Sequence, residues 1–565
     1  MVVARVALVT WLGSLFAGVA HAQGVTTVGS VDSSGNPGND ASGSDFVNAG
    51  DRGIALSADG NVVAFSSRAT NLVANDTNGK WDVFVHDRTT GITERVSVDS
   101  AGAEADDDCS YPSLSADGRI VSFESRATNL VAGDTNGMND VFVHDRATGT
   151  TVRVDVSSAG AQANQAAQYS AVAADGATVA FASFADNLVS GDTNGWFDVF
   201  VHDLATGVTE RVSVDSNGAE GDGNSADPPS LSSDGRFVAF TSVATNLVAG
   251  DTNGAVDVFV HDRATGLTER ASVDSAGNQT TGRIFGGAQI SGDGNVVAFQ
   301  SDATNLVPND VNGYLDVFTH DRVSGATQIM SVSTSGAQAS TTSGLAAISG
   351  DGRFVAFTTS ATNFAPGDKN HDSDVFVHDR AGGFTDCVSV GVTGVPSNWT
   401  SRLAALDDDG EVVVFASRST DLVLGVLGWQ VYVRERCVAP ATWTNYGAGL
   451  AGSFGVPSFT SQSFPAIGSA LALDLANSSG VFTAALLFVG TQRASIHSAL
   501  GGDLLLLPTT TLLFVLPPVG ATLTANVPRD DSLCGLVFDF QSLELDPGAA
   551  KGVSFTPGLE LAIGR

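Results

Sequence analysis

Residues Tyr111–Asp145 read YPSLSADGRIVSFESRATNLVAGDTNGMNDVFVHD, and RATGTTVRVDVSSAG follows at 146–160. Ser113–Ser115 begins a strand, Asp117-Gly118 makes a hairpin turn, and Ile120–Ser125 alternates as a second strand. A loop leads to a third strand at Asp140–His144, a turn at Thr148-Gly149 and a fourth strand at Thr151–Val156. The Asp-Gly pair recurs at Asp59, Asp117, Asp175, Asp234, Asp293, Asp351 and Asp409, always 58 or 59 residues apart. A fixed period of that length signals a solenoid or a propeller. Four short antiparallel strands per unit, seven units long, predict a seven-bladed β-propeller in an all-β chain.

The ends of the array support a ring. The seventh unit stops after Gln430–Arg434 and lacks a fourth strand, which in the first unit reads Glu94–Ser100. Matching text stands near the N-terminus as Thr27–Gly35, TVGSVDSSG. An open propeller leaves sheet edges unpaired, so this N-terminal strand is expected to complete the last blade. A linear solenoid has no reason to divide one repeat between its two ends.

The pattern Ser-x-Asp-Gly-x-x-Val-Ala-Phe (Ser57–Phe65, Ser232–Phe240, Ser291–Phe299, Ser349–Phe357), followed by Asp-Val-Phe-Val-His-Asp (Asp82–Asp87, Asp257–Asp262, Asp374–Asp379), resembles the WD40-like (PD40) repeats of TolB-type propellers. The resemblance spans residues from about 25 to 440 and departs from that family in a longer loop between the second and third strands. It implies a platform for protein binding, or a propeller that precedes a catalytic domain.

Composition narrows the function. The 565 residues carry 27 Lys+Arg against 61 Asp+Glu, a formal charge of −34. Nucleic-acid binders neutralise phosphates with basic patches, so that class is excluded, as is docking on anionic lipid. With 43% hydrophobic residues and 64 glycines the chain is a turn-rich folded protein, not an acidic disordered tail.

Met1–Ala22 has one early cation, Arg5, then the apolar run Val6–Ala20 and the small-residue site Ala20-His21-Ala22. These are the parts of a secretory signal peptide, with cleavage expected after Ala22 and export to the periplasm, cell surface or medium. The mature chain is expected to carry no transmembrane span. Of the four cysteines, Cys387 in the fourth strand of blade six and Cys437 after the third strand of blade seven are expected to pair near the closure.

The strongest motif lies in the loops between second and third strands, Asp-x-Asn-Gly-x-x-Asp. It occurs as Asp76/Asn78/Asp82, Asp134/Asn136/Asp140, Asp192/Asn194/Asp198, Asp251/Asn253/Asp257 and Asp310/Asn312/Asp316. Blade six has the variant Asp368/Asn370/Asp372/Asp374, and blade seven has none. Two readings compete. Calcium takes six to eight oxygens on tight loops, and this spacing matches the latter part of a calcium loop. The usual first carboxylate is missing, however, with Ala74, Ala132, Ser190, Ala249 and Pro308 in its place. The other reading is a turn in which Asn-Gly supplies positive φ and the aspartates cap backbone N–H groups. Any calcium would be structural and repeated; no other cofactor is expected.

Six of the nine histidines, His86, His144, His202, His261, His320 and His378, stand at one repeat position. A catalytic histidine would be singular, so these read as packing residues. No Gly-x-Ser-x-Gly elbow, His-Glu-x-x-His or phosphate-cradling loop is present. Tyr111, Tyr169, Arg283 and Arg402 are unrepeated residues placed to line a central channel or its rim.

After Pro440 the period ends. Strands expected at Ala470–Leu475, Ala484–Val489, Leu504–Leu507, Leu512–Leu516, Ala521–Val527, Leu533–Phe540 and Val553–Ile563 fit a β-sandwich or jelly roll. The text around Val527-Pro528, Leu533-Cys534-Gly535 and Asp546-Pro547-Gly548 resembles a C-terminal β domain of large exported bacterial proteins. The domains read as 1–22 leader, 23–440 propeller and 441–565 β domain. Only eight of the 61 acidic residues follow residue 440, so the negative charge is a property of the repeats. The expected function is a non-enzymatic platform for a protein or glycan of unknown identity. The alternatives are a polysaccharide lyase or hydrolase working in the channel, and a structural cell-envelope protein.

Overall fold

The computed structural model describes residues 25–43, 53–365, 367–437, 441–467, 469–500, 502–527 and 533–564. The expected leader at Met1–Ala22 lies outside them. Among the described residues there is no α-helix, and no helix long and apolar enough to cross a membrane. The chain divides into two compact units, Thr26–Arg434 and a second that takes in Glu435–Arg565.

The first unit is built of four-stranded antiparallel sheets, the blade architecture of a β-propeller. Seven such sheets are present among the described residues, numbered here in chain order by their Asp-Gly turns. The second consists of Cys109–Leu114, Ile120–Ser125, Asp140–Asp145 and Thr150–Arg153, paired in that order. The second and third strands are apolar on both faces, as buried strands must be: Val141, Phe142 and Val143 are all buried. Each sheet centres on an aromatic pair between these strands, from Phe65–Phe84 to Phe415–Tyr432, with ring centroids 5.8–6.0 Å apart and offset-stacked. Burying one such side chain contributes about 1.5–3 kcal/mol.

The first strand starts earlier than the alternation suggests, at Cys109 rather than Ser113, because a bulge between Ser110 and Ser113 breaks the pattern. The fourth strand ends at Arg153, after which Val156 makes only an isolated bridge to Gln162. In the seventh sheet the partner of Gln430–Glu435 is Thr26–Val28, with Thr27 opposite Val433.

Neighbouring sheets are joined at their Asp-Gly turns by backbone hydrogen bonds. Ala58 N–H donates to Ala116 O, Ala116 to Ala174, Asp175 to Ser233, Ser233 to Gly292, Gly292 to Gly350 and Asp351 to Asp408, over 2.8–3.1 Å. Asp408 N–H in turn donates to Ala58 O, 3.0 Å away.

The second unit holds a six-stranded sheet, a three-stranded sheet and a two-stranded hairpin. Leu471, Leu473 and Leu475 of the three-stranded sheet share one core with Leu487, Phe538, Phe540 and Leu561 of the larger one, so the two sheets pack face to face. Strands at Thr442–Tyr446, Phe459–Ser461 and Arg493–His497 carry too few apolar residues to be read from pattern.

The expected Cys387–Cys437 bridge is not formed. Cys437 pairs with Cys534, Cα atoms 5.5 Å apart, while Cys109 and Cys387 are free thiols. Cys437 lies beyond the last propeller strand and belongs with Cys534 in the second unit, whereas Cys387 sits within the sixth sheet opposite Phe376. Such a bridge is at home in an oxidising compartment.

Candidate functional site

The motif aspartates converge at one point of each sheet. The second aspartate opens the third strand, and the first sits six residues earlier in the loop. In the first sheet Asn78 donates its side-chain N–H to Asp82 Oδ2 (3.0 Å) and to the Ala105 carbonyl (3.1 Å), and its own oxygen accepts from Lys80 N–H. Gly79 follows at φ 65°. Ser97 on the fourth strand donates to Asp82 Oδ1 at 2.6 Å.

The other five motif asparagines repeat this arrangement. Asn136, Asn194, Asn253, Asn312 and Asn370 donate to Asp140, Asp198, Asp257, Asp316 and Asp374 over 2.7–3.4 Å. They also donate to the carbonyls of Ala163, Gly221, Thr280, Ala339 and Ser397. Their own oxygens accept from the N–H two residues on, at Met138, Trp196, Ala255, Tyr314 and Asp372. Asn78, Asn136, Asn194, Asn253, Asn312 and Asn370, expected as calcium ligands, are engaged here in the hydrogen bonds of the turn. A ligand turns its oxygen to the ion, whereas these amides present N–H to the strand-opening carboxylate and engage the oxygen within the turn. The turn chemistry expected of Asp and Asn is present.

Sequence reading missed what fills the centre. Arg95, the residue opposite Phe84 on the fourth strand, lies 3.3 Å from Asp76, 3.4 Å from Asp82 and 3.0 Å from Glu104. Arg153 stands 3.4 Å from both Asp134 and Asp140, Arg211 at 3.1–3.3 Å from Asp192 and Asp198, and Arg270 at 3.3–3.5 Å from Asp251 and Asp257. A third oxygen comes from Glu220 in the third sheet and from Gln279 in the fourth. These guanidiniums are buried and neutralise the carboxylates that a calcium ion would use. The signal was in the repeat: an arginine at 95, 153, 211 and 270, always thirteen residues after the second aspartate.

The fifth and sixth sheets depart from this plan. Ile329 is opposite Phe318 and Cys387 opposite Phe376, where the first four sheets have arginine. Asp310/Asp316 and Asp368/Asp374 remain. Asp316 takes hydrogen bonds from Asn312 (2.7 Å) and Ser331 (2.6 Å), and Asp374 from Ser389 (2.6 Å) and Ser397 (3.1 Å). Burial, reinforced by the facing aspartate, pushes Asp316 up to about 6 and Asp374 up to about 7. Burial also raises Asp76 and Asp192 to about 6, with Arg95 and Arg211 opposing it. Among the described residues no three His, Cys, Asp or Glu side chains cluster as a metal site.

The repeated histidines are structural. His86 Nδ1 is 2.8 Å from Thr93 Oγ1, and that hydroxyl donates to the Val31 carbonyl at 2.5 Å. The single hydroxyl proton is used on the carbonyl, so the ring carries its proton on Nδ1 and donates it to Thr93. Burial holds all six imidazoles below their usual value, hence neutral. The following arginines clamp the Asp-Gly hairpins: Arg88 donates to Gly60 O and Arg146 to Gly118 O, each at 2.6 Å.

Of the channel candidates, Tyr111 and Tyr169 stand at one repeat position in neighbouring sheets and come together edge to face, ring centroids 5.5 Å apart. Their left-handed φ of 54° and 61° recurs at the equivalent Leu403 (54°) and Gly286 (62°). Beside them lies Glu124, 4% exposed, which accepts from Tyr169 N–H and, at 3.0 Å, from Asn139. Arg402 lies over the Trp429 ring at 4.6 Å, and the exposed Arg283 donates its backbone N–H to Asp302 Oδ1 at 2.6 Å. A further pair has the same design: Arg418 stacks 4.8 Å over Trp399, a residue 46% exposed. Thr400 donates to Asp372 Oδ1 at 3.0 Å, which puts this pair beside the sixth box.

No protein-family model and no curated protein matches the chain. Among solved structures, a TolB from Agrobacterium tumefaciens is similar at 16% identity and a TM-score of 0.33, over 61% of this chain and 94% of that one. An oligogalacturonate lyase from Vibrio parahaemolyticus is similar at 12% identity and 0.41, over 73% and 98%. The periplasmic gluconolactonase of Pseudomonas aeruginosa is similar at 16% identity and 0.29, over 63% and 92%.

Proposed function

We propose that the chain is an exported, non-enzymatic platform. Its seven sheets are the blades of one ring, closed by the N-terminal strand, with a β-sandwich appended. The hydrogen bonds that run from turn to turn and return from Asp408 to Ala58 support the ring. The Cys437–Cys534 bridge supports export. The partner is a protein or a glycan, taken on the face that carries the second-to-third-strand loops.

One observation carries the binding reading: the unrepeated, half-exposed Trp399, with the Arg418 guanidinium stacked on its ring. The repeated polar residues are used up in holding the sheets together, and what remains available is an aromatic face with a guanidinium on it. Such a surface stacks on apolar faces and directs hydrogen bonds to acidic or hydroxyl groups. A glycan array and a pull-down with the chain lacking residues 1–22 test this. A ligand retained by the parent and lost by Trp399→Ala with an unchanged melting temperature supports the reading. Equal retention by the variant, or no ligand at all, removes it.

A second reading, a lyase or hydrolase acting in the central channel, is favoured by the tyrosine pair beside the buried Glu124. Release of reducing ends from polysaccharides, abolished in Glu124→Gln, is the result that would support it.

A further inference from the structure

We infer that the carboxylate boxes of the fifth and sixth sheets each bind a calcium ion at the point where the first four sheets hold an arginine guanidinium. The inference is independent of whether a partner docks on the platform.

The argument is a comparison of the protein with itself. In the first four sheets the loop aspartate (Asp76, Asp134, Asp192 or Asp251) turns Oδ1 to a guanidinium nitrogen 3.1–3.4 Å away. In the fifth sheet the equivalent residue, Asp310, is only 9% exposed, and its Oδ1 has no hydrogen-bond partner. Asp368 in the sixth is only partly buried, and its Oδ1 also has no hydrogen bond. Asp251 Oδ1 in the fourth lacks one too, but has the Arg270 guanidinium 3.3 Å away, and no such ion pair is present at Asp310 or Asp368 among the described residues. Ile329 and Cys387, at the register position that holds arginine in the first four sheets, contribute no positive charge. A buried carboxylate pair without a cation is strongly unfavourable.

The seventh sheet shows what happens when no cation is wanted. There the arginine position is Val28, opposite Tyr432, and the strand-opening aspartate is Gln430, which accepts from Ser30 at 2.6 Å. Acid and base are lost together. The fifth and sixth sheets lose only the base, so the charge that balances Asp310/Asp316 and Asp368/Asp374 comes from outside the chain.

The donors identify the ion. In the fifth box the charged donors are the carboxylate oxygens of Asp310 and Asp316, and in the sixth those of Asp368 and Asp374, with the protonated Cys387 thiol beside them. A hard cation of variable coordination takes such carboxylates. Zinc prefers imidazole and thiolate in a closed tetrahedron. Two carboxylates per box leave much of the coordination to backbone and water, which places the affinity with that of extracellular calcium modules, about 10⁻⁴–10⁻³ M.

The test is a calorimetric titration of the EDTA-treated full chain with calcium chloride, joined to thermal unfolding with and without the ion. Saturable binding at one ion per unfilled box is expected, with a melting temperature that climbs with calcium concentration by mass action. The double variant Ile329→Arg/Cys387→Arg carries its own guanidiniums and should lose both the calcium heat and the thermal response. Asp310→Asn/Asp368→Asn should lose them also, by removing the ligands without changing side-chain size. No heat up to about 10 mM calcium, or undiminished binding in both double variants, overturns the inference.

Discussion

Thr151 donates its hydroxyl to the carbonyl of Val98, 2.5 Å away, and so fastens the fourth strand of the second sheet to the chain leaving the first. His144 Nδ1 completes the bridge at 2.9 Å. The same relation joins Thr209 to Val156, Thr268 to Val214 and Thr327 to Val273. Thr151→Val keeps the shape and removes the hydroxyl, leaving a buried carbonyl and an imidazole N–H without a partner. A loss of about 1–3 kcal/mol is expected in urea unfolding. Thr151→Ser, which retains the hydroxyl, should recover most of it.

Arg211 is held between Asp192, Asp198 and Glu220 with 8% of its side chain exposed. Truncating one member of a buried ionic group leaves the others uncompensated. Arg211→Met should destabilise by about 3–5 kcal/mol. Adding Asp192→Asn to that variant should return part of the loss. A double-mutant cycle in urea checks the sign: independent, additive effects would mean that the arginine does not act through the aspartates.

The fold was legible because the period repeats the turn chemistry with the apolar pattern: every Asp-Gly followed by Val-Ala-Phe or its equivalent declares a hairpin. The pairing of the N-terminal strand with Gln430–Glu435 was legible at Thr27–Gly35 because a missing strand reappears at the other end of the repeats. The candidate site was half legible. Asp and Asn announced a loop that could hold a cation, but the cation in four sheets is an arginine on another strand, brought in by sheet register rather than by proximity in sequence. Nor does spacing say which end of an asparagine amide points inward. The cysteines were misread for a similar reason. Position in the repeat said nothing about Cys534, far along the chain in the second unit.

Gly294 adopts φ 74° in its hairpin, and a Cβ there would stand 2.2 Å from the Phe237 ring of the preceding sheet. That ring is held on both sides by guanidiniums, Arg236 at 4.6 Å and Arg322 at 4.5 Å, so it has little room to move. Gly294→Ala therefore combines left-handed strain, about 1–2 kcal/mol, with a steric clash. Gly149, at φ 70° with nothing near its missing Cβ, isolates the strain alone. Urea midpoints should fall in the order parent, Gly149→Ala, Gly294→Ala.

Asp155 stands where the other blades with a third-strand aspartate have serine: Ser97, Ser213, Ser272, Ser331 and Ser389. It is fully buried, accepts from Val141 N–H, and faces Asp140. Burial first, and Asp140 second, raise its carboxyl well above the ordinary aspartate value. The folded state therefore keeps a proton that the unfolded chain gives up once the pH passes the ordinary value of 3.8. The sign follows from linkage: wherever the native state binds the extra proton, stability falls as pH rises, by about 1.4 kcal/mol per pH unit. Asp155→Ser restores the hydroxyl donor that Asp82 receives from Ser97 and removes the titrating group. The melting temperature of the variant relative to the parent should rise steadily from pH 4 towards neutrality. A difference that stays constant over that range would show that Asp155 is ionised in the folded protein.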